Sequence, residues 1–279
     1  RRRRLRAYDN GKGASEKELR YFRTQHSMNL MLLRVKPDKL VVSHIEEFTK
    51  LYRYRLSKQT VDDFTSRSSK EVDDQLLAAY DRSRNLQVDW SDLVLKDRHL
   101  RLHRAAIATF IHRYEEWKQK NGYLDFLDLL VKGFNESVSP PVELAVIDEF
   151  QDSSPLMASQ IALWAERIPN VIIAGDPNQA LYEFMGTNPK IFRNFHASET
   201  VMLTQSHRVP DNNVKLALRI INKNKGEEAF HFNGNGTKGS TVEVPSLAHV
   251  IEGIRTNKDK SFLLMARDNY NLGLGRDFL

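Results

Sequence analysis

The sequence predicts an α/β fold built on a parallel sheet. Two short apolar runs, 144–147 (LAVI) and 171–174 (VIIA), are rich in β-branched residues and bounded by polar residues. Such continuous runs are typical of strands buried on both faces of a parallel sheet. Between them, Ser154-Pro155 begins an apolar helical pattern that can serve as the crossover between parallel strands. Polar chemistry therefore falls at the carboxyl ends of adjacent strands, where open α/β sheets bind ligands.

Acids and amides follow each strand. Asp148-Glu149 follows the first run, with Gln151 and Asp152 close behind, and the second run leads into 175–179 (GDPNQ). A carboxylate after a buried strand can hold Mg²⁺, and a second one beside it can orient water for attack on a phosphoryl group. An isolated Asp-Glu pair would more simply be solvated. The repetition at the next strand end favours a phosphoryl-transfer site.

Helical patterns fill most of the remaining chain. Residues 15–23 and 28–35 read as short helices, and Ser43-x-x-Glu46 and Ser68-x-x-Glu71 read as capping boxes at the starts of two more. A longer helix spans about 100–120 and stops at Asn121-Gly122. Further helices are expected after Pro210 and over 246–256, and strands over 241–244 and 262–266.

Two glycine patterns suggest nucleotide loops, but neither meets the full requirement. The run 11–15 (GKGAS) lacks the earlier glycine and the preceding strand of a G-x-x-x-x-G-K-[ST] loop. Gly234-x-Gly236-x-x-Gly239 precedes a predicted strand, whereas a dinucleotide fingerprint opens a helix. We interpret the second pattern as a turn.

Composition limits the class of protein. The chain has 279 residues, 41% of them hydrophobic, a formal net charge of +6 and no cysteine. It is long enough for one large or two moderate domains, and disulfides and thiolate metal sites are excluded. No apolar run is long enough to span a bilayer, so a soluble protein is expected. The positive charge favours a polyanionic partner. The basic run 1–6 is either a solvated segment or an arm that contacts phosphates.

Five ordered motifs resemble the UvrD/Rep-type superfamily 1 helicases. Residues 148–152 (DEFQD) resemble motif II, 175–186 (GDPNQALYEFMG) motif III, and 203–208 (LTQSHR) motif IV. Residues 24–27 (TQHS) resemble motif Ib, and 122–130 (GYLDFLDLL) resemble the element that leads back into the motor domain. Three positions depart from the family's pattern: Leu127 stands where the family usually has an acid, Met185 where it has an arginine, and His207 where it has a tyrosine.

The resemblance implies a RecA-like motor domain of the P-loop NTPase type, with an inserted helical subdomain and the start of a second RecA-like domain. Residues 1–41 correspond to part of domain 1A, 42–112 to helical subdomain 1B, 113–205 to the rest of 1A, and 206–279 to the start of 2A. The family's Walker A loop and motifs V and VI have no counterpart in this sequence. We therefore expect a fragment that does not hydrolyse ATP efficiently by itself.

The implied activity is ATP-dependent DNA unwinding by movement along single-stranded DNA, 3′ to 5′, with ATP and Mg²⁺ as cofactors. Asp148 corresponds to the Mg²⁺ ligand and Glu149 to the residue that polarises the attacking water. Gln179 and Arg208 correspond to γ-phosphate contacts, and His207 stands where a tyrosine stacks on adenine.

Single-stranded DNA and its junctions with duplex are the implied partners, with no membrane, in a cytoplasmic, DNA-associated protein. The residues implied in DNA contact are Thr24, His26, Ser27, Phe126, Tyr182 and Phe184. From the residues alone, Ser27 could instead cap a helix, and Tyr182 and Phe184 could be core residues. The alternative function is a non-catalytic single-stranded nucleic-acid-binding module derived from such a motor.

Overall fold

The computed structural model describes residues 18–56, 72–96, 104–180, 186–223, 230–257, 259, 261–263 and 265. The chain forms two compact units, Arg1–Phe195 and His196–Leu279. No helix among the described residues has both the length and the apolarity needed to cross a membrane. Several predictions fall outside the described residues and therefore stay predictions. They concern the basic run 1–6, the loop 11–15, Ser68-x-x-Glu71, Tyr182, Phe184 and Met185.

The first unit contains a two-stranded parallel sheet and most of the helices. Strands β1 (Leu144–Ile147) and β2 (Asn170–Ile173) pair in register, with Leu144 opposite Asn170 and Ile147 opposite Ile173. The α-helices among its described residues are α1 (Gln25–Leu32), α2 (Ile45–Tyr52), α3 (Val72–Leu86), α4 (Trp90–Lys96), α5 (Arg104–Asn121), α6 (Phe126–Asn135), α7 (Pro155–Ala165) and α8 (Pro189–Asn194). The predicted α/β class with parallel strands is confirmed.

Burial of the strands differs from the prediction. Ala145, Ile147, Val171 and Ile173 pack against a core that includes Phe150, Ile161 and Trp164, whereas Leu144, Val146 and Ile172 are more than half exposed. The prediction of burial on both faces is therefore wrong for the described residues. An apolar run indicates that both faces of a strand can be buried, but each face is buried only if another element packs on it. No described element covers the face that carries Leu144, Val146 and Ile172.

Helix α7 is the predicted connection between the strands. The Ser154 hydroxyl accepts a hydrogen bond from the Met157 backbone N–H, and Pro155 occupies the first helical position, where it needs no N–H partner. Ile161 and Trp164 of α7, and Ile168 just after its end, are buried in the core that also contacts β1 and β2. Because this helix fixes where β2 begins, it brings the two strand ends side by side.

A separate aromatic core lies under α2, α3, α4 and α5. Phe48 is fully buried and contacts the rings of Phe110, Tyr114 and Trp117, with centroids 5.2–5.9 Å apart. Helix α5 ends at Asn121, as predicted, and Gly122 follows with φ of +65°. The predicted capping box at Ser43 is wrong, because Ser43 lies in a 3-10 turn and His44 precedes α2 without a side-chain cap.

Two boundaries near the start of the first unit also differ from the prediction. Among the described residues of 15–23, a 3-10 turn spans Glu18–Tyr21 in place of a regular helix. Helix α1 begins at Gln25 and ends at Leu32, earlier at both ends than predicted. Thr24 has extended backbone and accepts a hydrogen bond from the Ser27 N–H, which fixes the start of the helix.

The second unit contains α9 (Asp211–Ile221) and α10 (Leu247–Thr256), both near their predicted positions. The strand predicted over 241–244 is absent, and the described residues of 262–266 are not in strand conformation. Val242 is 77% exposed, so this run lacks the partner strand and the packing that would stabilise a sheet. No helix follows Gly239 directly, which agrees with the interpretation of the glycine pattern as a turn.

Candidate functional site

Two acidic residues lie directly after β1. Asp148 and Glu149 are exposed, and the Glu149 backbone N–H donates to Asp148 Oδ1 at 3.1 Å. Glu149 has φ of +57° and ψ of +40°, a left-handed conformation that is uncommon outside glycine and asparagine. Such a residue persists only where its surroundings hold it, and outliers of this kind concentrate at functional sites. The chain therefore turns sharply at the position predicted to act on the attacking water.

A buried glutamine joins this turn to the end of β2. Gln151 is 2% exposed, its Nε2 donates to Glu149 Oε2 at 2.8 Å, and its Oε1 accepts from the Asp176 backbone N–H at 3.0 Å. The main chain adds a parallel connection, since Phe150 N donates to Ala174 O at 3.0 Å. The segments after the two strands are thus hydrogen-bonded to each other.

The loop after β2 is organised around Asp176. Asp176 Oδ1 accepts from the Asn178 backbone N–H at 2.9 Å, which begins the 3-10 turn Pro177–Gln179. Asp176 Oδ2 accepts from Gln179 Nε2 at 2.8 Å, so the side chain predicted to sense the γ-phosphate is held by an acid of its own loop. Asp148, Glu149 and Gln179 therefore share one hydrogen-bonded frame at the strand ends.

The predicted residues His207 and Arg208 belong to the second unit, and both side chains are exposed. Ser206 is buried, and its Oγ accepts from the backbone N–H groups of Arg208 at 3.2 Å and Val209 at 3.0 Å. The Asn235 backbone N–H donates to Val209 O at 2.9 Å. This tight turn fixes the main chain at Arg208 and leaves the guanidinium free of the turn's own hydrogen bonds.

The predicted DNA-contact residues Thr24 and Ser27 form the first turn of α1. Thr24, and not Ser27, is the helix cap, so the capping alternative for Ser27 is wrong. Arg23 Nη1 donates to Ser27 Oγ at 3.2 Å, and Arg23 is exposed. The arrangement presents a cation and helix N-terminal N–H groups together, which is a chemistry suited to phosphate.

His26 and Phe126 come together from distant parts of the sequence. Their rings meet edge to face with centroids 5.9 Å apart, where the first turns of α1 and α6 meet. Burial lowers the pKa of His26 to about 4, although the Asp125 carboxylate acts in the opposite direction. His26 is therefore neutral at pH 7 and can contact a nucleic acid by stacking or hydrogen bonding, not by charge.

A buried ionic network fixes the start of α6. Asp125 and Asp128 cap that helix reciprocally, with N–H to carboxylate distances of 2.8 and 2.9 Å. Lys118 Nζ lies 3.0 Å from Asp125 and 2.7 Å from Asp128, and Arg84 reaches the same two acids at 2.8 and 3.1 Å. Helices α3 and α5 thereby anchor the turn that presents Phe126.

The pKa values of two acids in this network are shifted in opposite directions. Burial raises the pKa of Asp81 to about 6, against the pull of the Arg84 guanidinium. Burial also disfavours the Asp125 carboxylate, but Arg84 and Lys118 outweigh it and lower the pKa of Asp125 well below its ordinary value. Glu115, Asp125 and Asp128 are close enough to share a metal ion, yet the Lys118 ammonium lies within 3.0 Å of all three. The group is therefore a charge-compensated structural cluster.

Buried amides tie α1 to α7. Asn29 and Gln160 are both fully buried and exchange two hydrogen bonds, at 2.8 and 2.6 Å, while Gln25 Nε2 donates to Gln160 Oε1 at 2.8 Å. A Cβ at Gly133 of α6 would lie 2.1 Å from Asn29 Oδ1, so only glycine lets α6 approach this closely. The helix with the predicted DNA-contact residues is thus fixed to the crossover helix of the sheet.

Sequence reasoning missed the parts played by Gln151 and Arg23. Gln151 carried no role in the prediction, although it stands two residues after Glu149 in a polar cluster that follows a strand. Arg23 immediately precedes the 24–27 motif, and its charge was the available signal. Neither side chain's partner could be read from the sequence, because each contact depends on the turn that brings it about.

The family model described as "UvrD/REP helicase N-terminal domain" matches residues 2–199. "DNA helicase II" of Escherichia coli is 25% identical over 166 residues, covering 52% of this chain and 23% of that protein. "ATP-dependent DNA helicase UvrD2" of Mycobacterium tuberculosis (H37Rv) is 29% identical over 141 residues, covering 45% of this chain and 20% of that protein. "Probable DNA helicase II homolog" of Mycoplasma capricolum is 24% identical over 241 residues, covering 80% and 33%. The chain spans about a third or less of each relative.

Proposed function

The chain belongs to the UvrD/REP helicase N-terminal domain family, and from this premise we propose that it forms part of an ATP-driven motor that moves 3′ to 5′ on single-stranded DNA and unwinds duplex DNA ahead of it. We propose that the first unit is a RecA-like domain 1A with helical subdomain 1B inserted. We propose that residues 206–279, in the second unit, are the start of RecA-like domain 2A. The observation that carries the proposal is the hydrogen-bonded frame that holds Asp148, Glu149 and Gln179 at the ends of two parallel strands.

The acids after β1 suit the nucleotide chemistry. Mg²⁺ prefers carboxylate oxygens and keeps several waters, and Asp148 offers an exposed carboxylate directly after a strand. In our proposal Asp148 holds Mg²⁺, which supplies charge neutralisation for the phosphates of bound ATP. Glu149 accepts a hydrogen bond from the attacking water and orients it toward the γ-phosphate.

Two further residues complete the proposed phosphate contacts. The Gln179 amide can exchange its hydrogen bond to Asp176 for one to the γ-phosphate. The hydrogen bonds of the loop after β2 would then depend on whether ATP or ADP is bound. Arg208 adds positive charge that stabilises the γ-phosphate, and His207 stacks on the base.

The proposed DNA track includes the first turns of α1 and α6. Thr24, Ser27 and Arg23 contact backbone phosphates, and His26 with Phe126 provides an aromatic surface for a base. Tyr182 and Phe184 remain proposed stacking residues from the sequence. The proposed partners are single-stranded DNA and its junctions with duplex.

The motor function is tested by ATP hydrolysis of the full-length natural protein with and without single-stranded DNA. Asp148→Ala and Glu149→Gln should each lower DNA-stimulated kcat by at least about 100-fold, because each removes a group that acts on the reacting phosphate. Single-strand affinity, measured by fluorescence anisotropy, should change less than about 3-fold.

Glu143→Gln is the matched control, because Glu143 is exposed and precedes β1 at the strand's opposite end. That variant should hydrolyse ATP like the wild type. Wild-type turnover in the Glu149 variant would refute the assignment of motif II. Salt-sensitive DNA binding with no ATP hydrolysis in the wild type would instead support the non-catalytic binding module.

A further inference from the structure

We propose that Gln151 is a positioning residue that sets the Glu149 carboxylate and couples it to the loop after β2. This inference rests on the proposed function, since it assigns Glu149 to the attacking water. Gln151 would act through its neighbours and without contact to the nucleotide. The argument depends on four properties of its surroundings.

The first property is the chemical match at each end of the amide. Nε2 is a donor and faces Glu149 Oε2, a carboxylate oxygen that can only accept, at 2.8 Å. Oε1 is an acceptor and faces the Asp176 backbone N–H, which can only donate, at 3.0 Å. A flipped amide would oppose like groups at both ends. Gln151 therefore bridges the two segments in one orientation, with its amide nitrogen toward the Glu149 carboxylate and its amide oxygen toward the Asp176 N–H.

The second property is burial. Gln151 is 2% exposed, whereas Glu149 is exposed. Water can replace a surface partner, but it cannot readily replace one at a position this enclosed. The carboxylate thus has one side fixed by the protein and another open to solvent. That is the arrangement needed by a group that must orient a water molecule on its free side.

The third property is the space reserved for the amide at Gly175. A Cβ at this position would lie 2.2 Å from Gln151 Oε1 and 3.1 Å from the Phe150 N. Gly175 is not among the glycines with positive φ, so space and not backbone conformation accounts for the glycine. The end of β2 is therefore shaped to receive the Gln151 side chain.

The fourth property is the conformation of Glu149. Its left-handed backbone is held by the bond from its own N–H to Asp148 Oδ1 and by the bond from Gln151 to its carboxylate. Because Asp176 Oδ2 accepts from Gln179 Nε2, three hydrogen bonds connect Glu149 with Gln179 by way of Gln151 and Asp176. A displacement of the 176–179 loop is thereby transmitted to the carboxylate.

Three variants separate the two ends of the bridge. Gln151→Met keeps the length of the side chain and removes both hydrogen bonds. Gln151→Glu keeps an acceptor for the Asp176 N–H but places a carboxylate against Glu149. Gly175→Ala displaces the amide from the other strand end. Trp164→Phe is the control, because it removes one partly buried hydrogen bond on α7, from Nε1 to Val138 O at 2.9 Å, and neither bond of Gln151 involves Trp164.

The first measurement is steady-state ATP hydrolysis by the full-length protein with saturating single-stranded DNA. We expect Gln151→Met, Gln151→Glu and Gly175→Ala each to lower kcat by about 10- to 100-fold with KM for ATP within about 3-fold, because a misplaced group costs catalysis more than binding. Trp164→Phe should retain kcat within about 2-fold. Wild-type kcat in Gln151→Met, or an equal loss in Trp164→Phe, would overturn the inference.

The second measurement needs no nucleotide and no activity. Amide hydrogen exchange over residues 174–180 should be about 10-fold faster at Asp176 in Gln151→Met and Gly175→Ala, and close to wild type in Gln151→Glu, which keeps the acceptor. Unchanged exchange in Gln151→Met overturns the bridge itself. Absence of DNA-stimulated hydrolysis in the wild type, with the exchange pattern as expected, overturns the proposed function and the catalytic part of the inference while the bridge stands.

Discussion

Replacing Lys118 by methionine should destabilise the first unit far more than the same change at Lys132. Lys118 is 3% exposed and lies 2.7–3.0 Å from Glu115, Asp125 and Asp128. Lys132 pairs with Glu136 on the surface, with the two side chains 44% and 49% exposed. The two substitutions remove the same charge and change the side-chain volume by the same amount. They differ chiefly in whether the remaining carboxylates can be solvated.

The magnitude follows from that difference. Removing one partner of a buried ion pair typically costs about 3–5 kcal/mol, because the remaining charge stays desolvated. Arg84 still contacts Asp125 and Asp128, so we expect the lower part of that range, about 3 kcal/mol, for Lys118→Met. An exposed pair contributes about 0–1 kcal/mol, and Lys132→Met should fall within it.

The assay is urea unfolding at pH 7 followed by tryptophan fluorescence, since Trp117 adjoins Lys118 and is buried in the aromatic core. The midpoint should fall markedly for Lys118→Met and little for Lys132→Met, with the same m value for both. Equal loss of stability in the two variants would refute the reasoning. It would mean that the acids around Lys118 reach solvent, and that the network does not fix the start of α6.

Other expected outcomes concern the helix contacts around the candidate sites. Gly133→Ala should cost at least about 2 kcal/mol in urea unfolding, because its Cβ would lie 2.1 Å from Asn29 Oδ1, whereas Gly253→Ala, with nothing within 4 Å, should be neutral or stabilising. Between pH 6.5 and pH 4, His26 should lower the stability of the fold as the pH decreases, because the unfolded state protonates His26 in that window and the folded state does not, whereas Asp81, whose pKa is raised to about 6, should act in the opposite direction. The pKa difference of His26 corresponds to about 3 kcal/mol, so His26→Gln should lose less stability than the wild type over this range. Phe126→Ala should weaken single-stranded DNA binding by about 1–3 kcal/mol in anisotropy titrations without changing the salt slope, since stacking releases no counterions. A changed slope with unchanged affinity at low salt would contradict the stacking role.

Local sequence signals were sufficient for the elements that their own residues stabilise. Ser154-Pro155 predicted the start of α7, because the cap and the proline act within one turn. Asn121-Gly122 predicted the end of α5 for a similar reason. The apolar runs at 144–147 and 171–174 predicted two parallel strands, which pair as expected.

The prediction failed where structure depends on a partner outside the local sequence. Residues 241–244 (TVEV) have the composition of a strand, yet they remain exposed and irregular, because a strand is stabilised by its neighbours. The exposed face of Leu144, Val146 and Ile172 illustrates the same limit. Hydrophobic pattern reports which surface can be buried, and the burial itself is a property of tertiary packing.

The candidate sites divide along the same line. Asp148, Glu149 and Gln179 could be singled out because polar residues that follow parallel strands lie at the ligand-binding edge of a sheet. Their connection through Gln151 requires a left-handed backbone at Glu149, which the residue type does not predict. Lys118 offers a different case, because the sequence did contain its signal. It follows Ile107 by 11 residues, close to three helical turns, so it falls on the buried face of α5. A lysine at such a position needs buried acids, and the two carboxylates that cap α6 lie 7 and 10 residues further along the chain. A cation in phase with an apolar stripe, followed at once by a pair of capping acids, therefore predicts an anchored helix start from residue order alone.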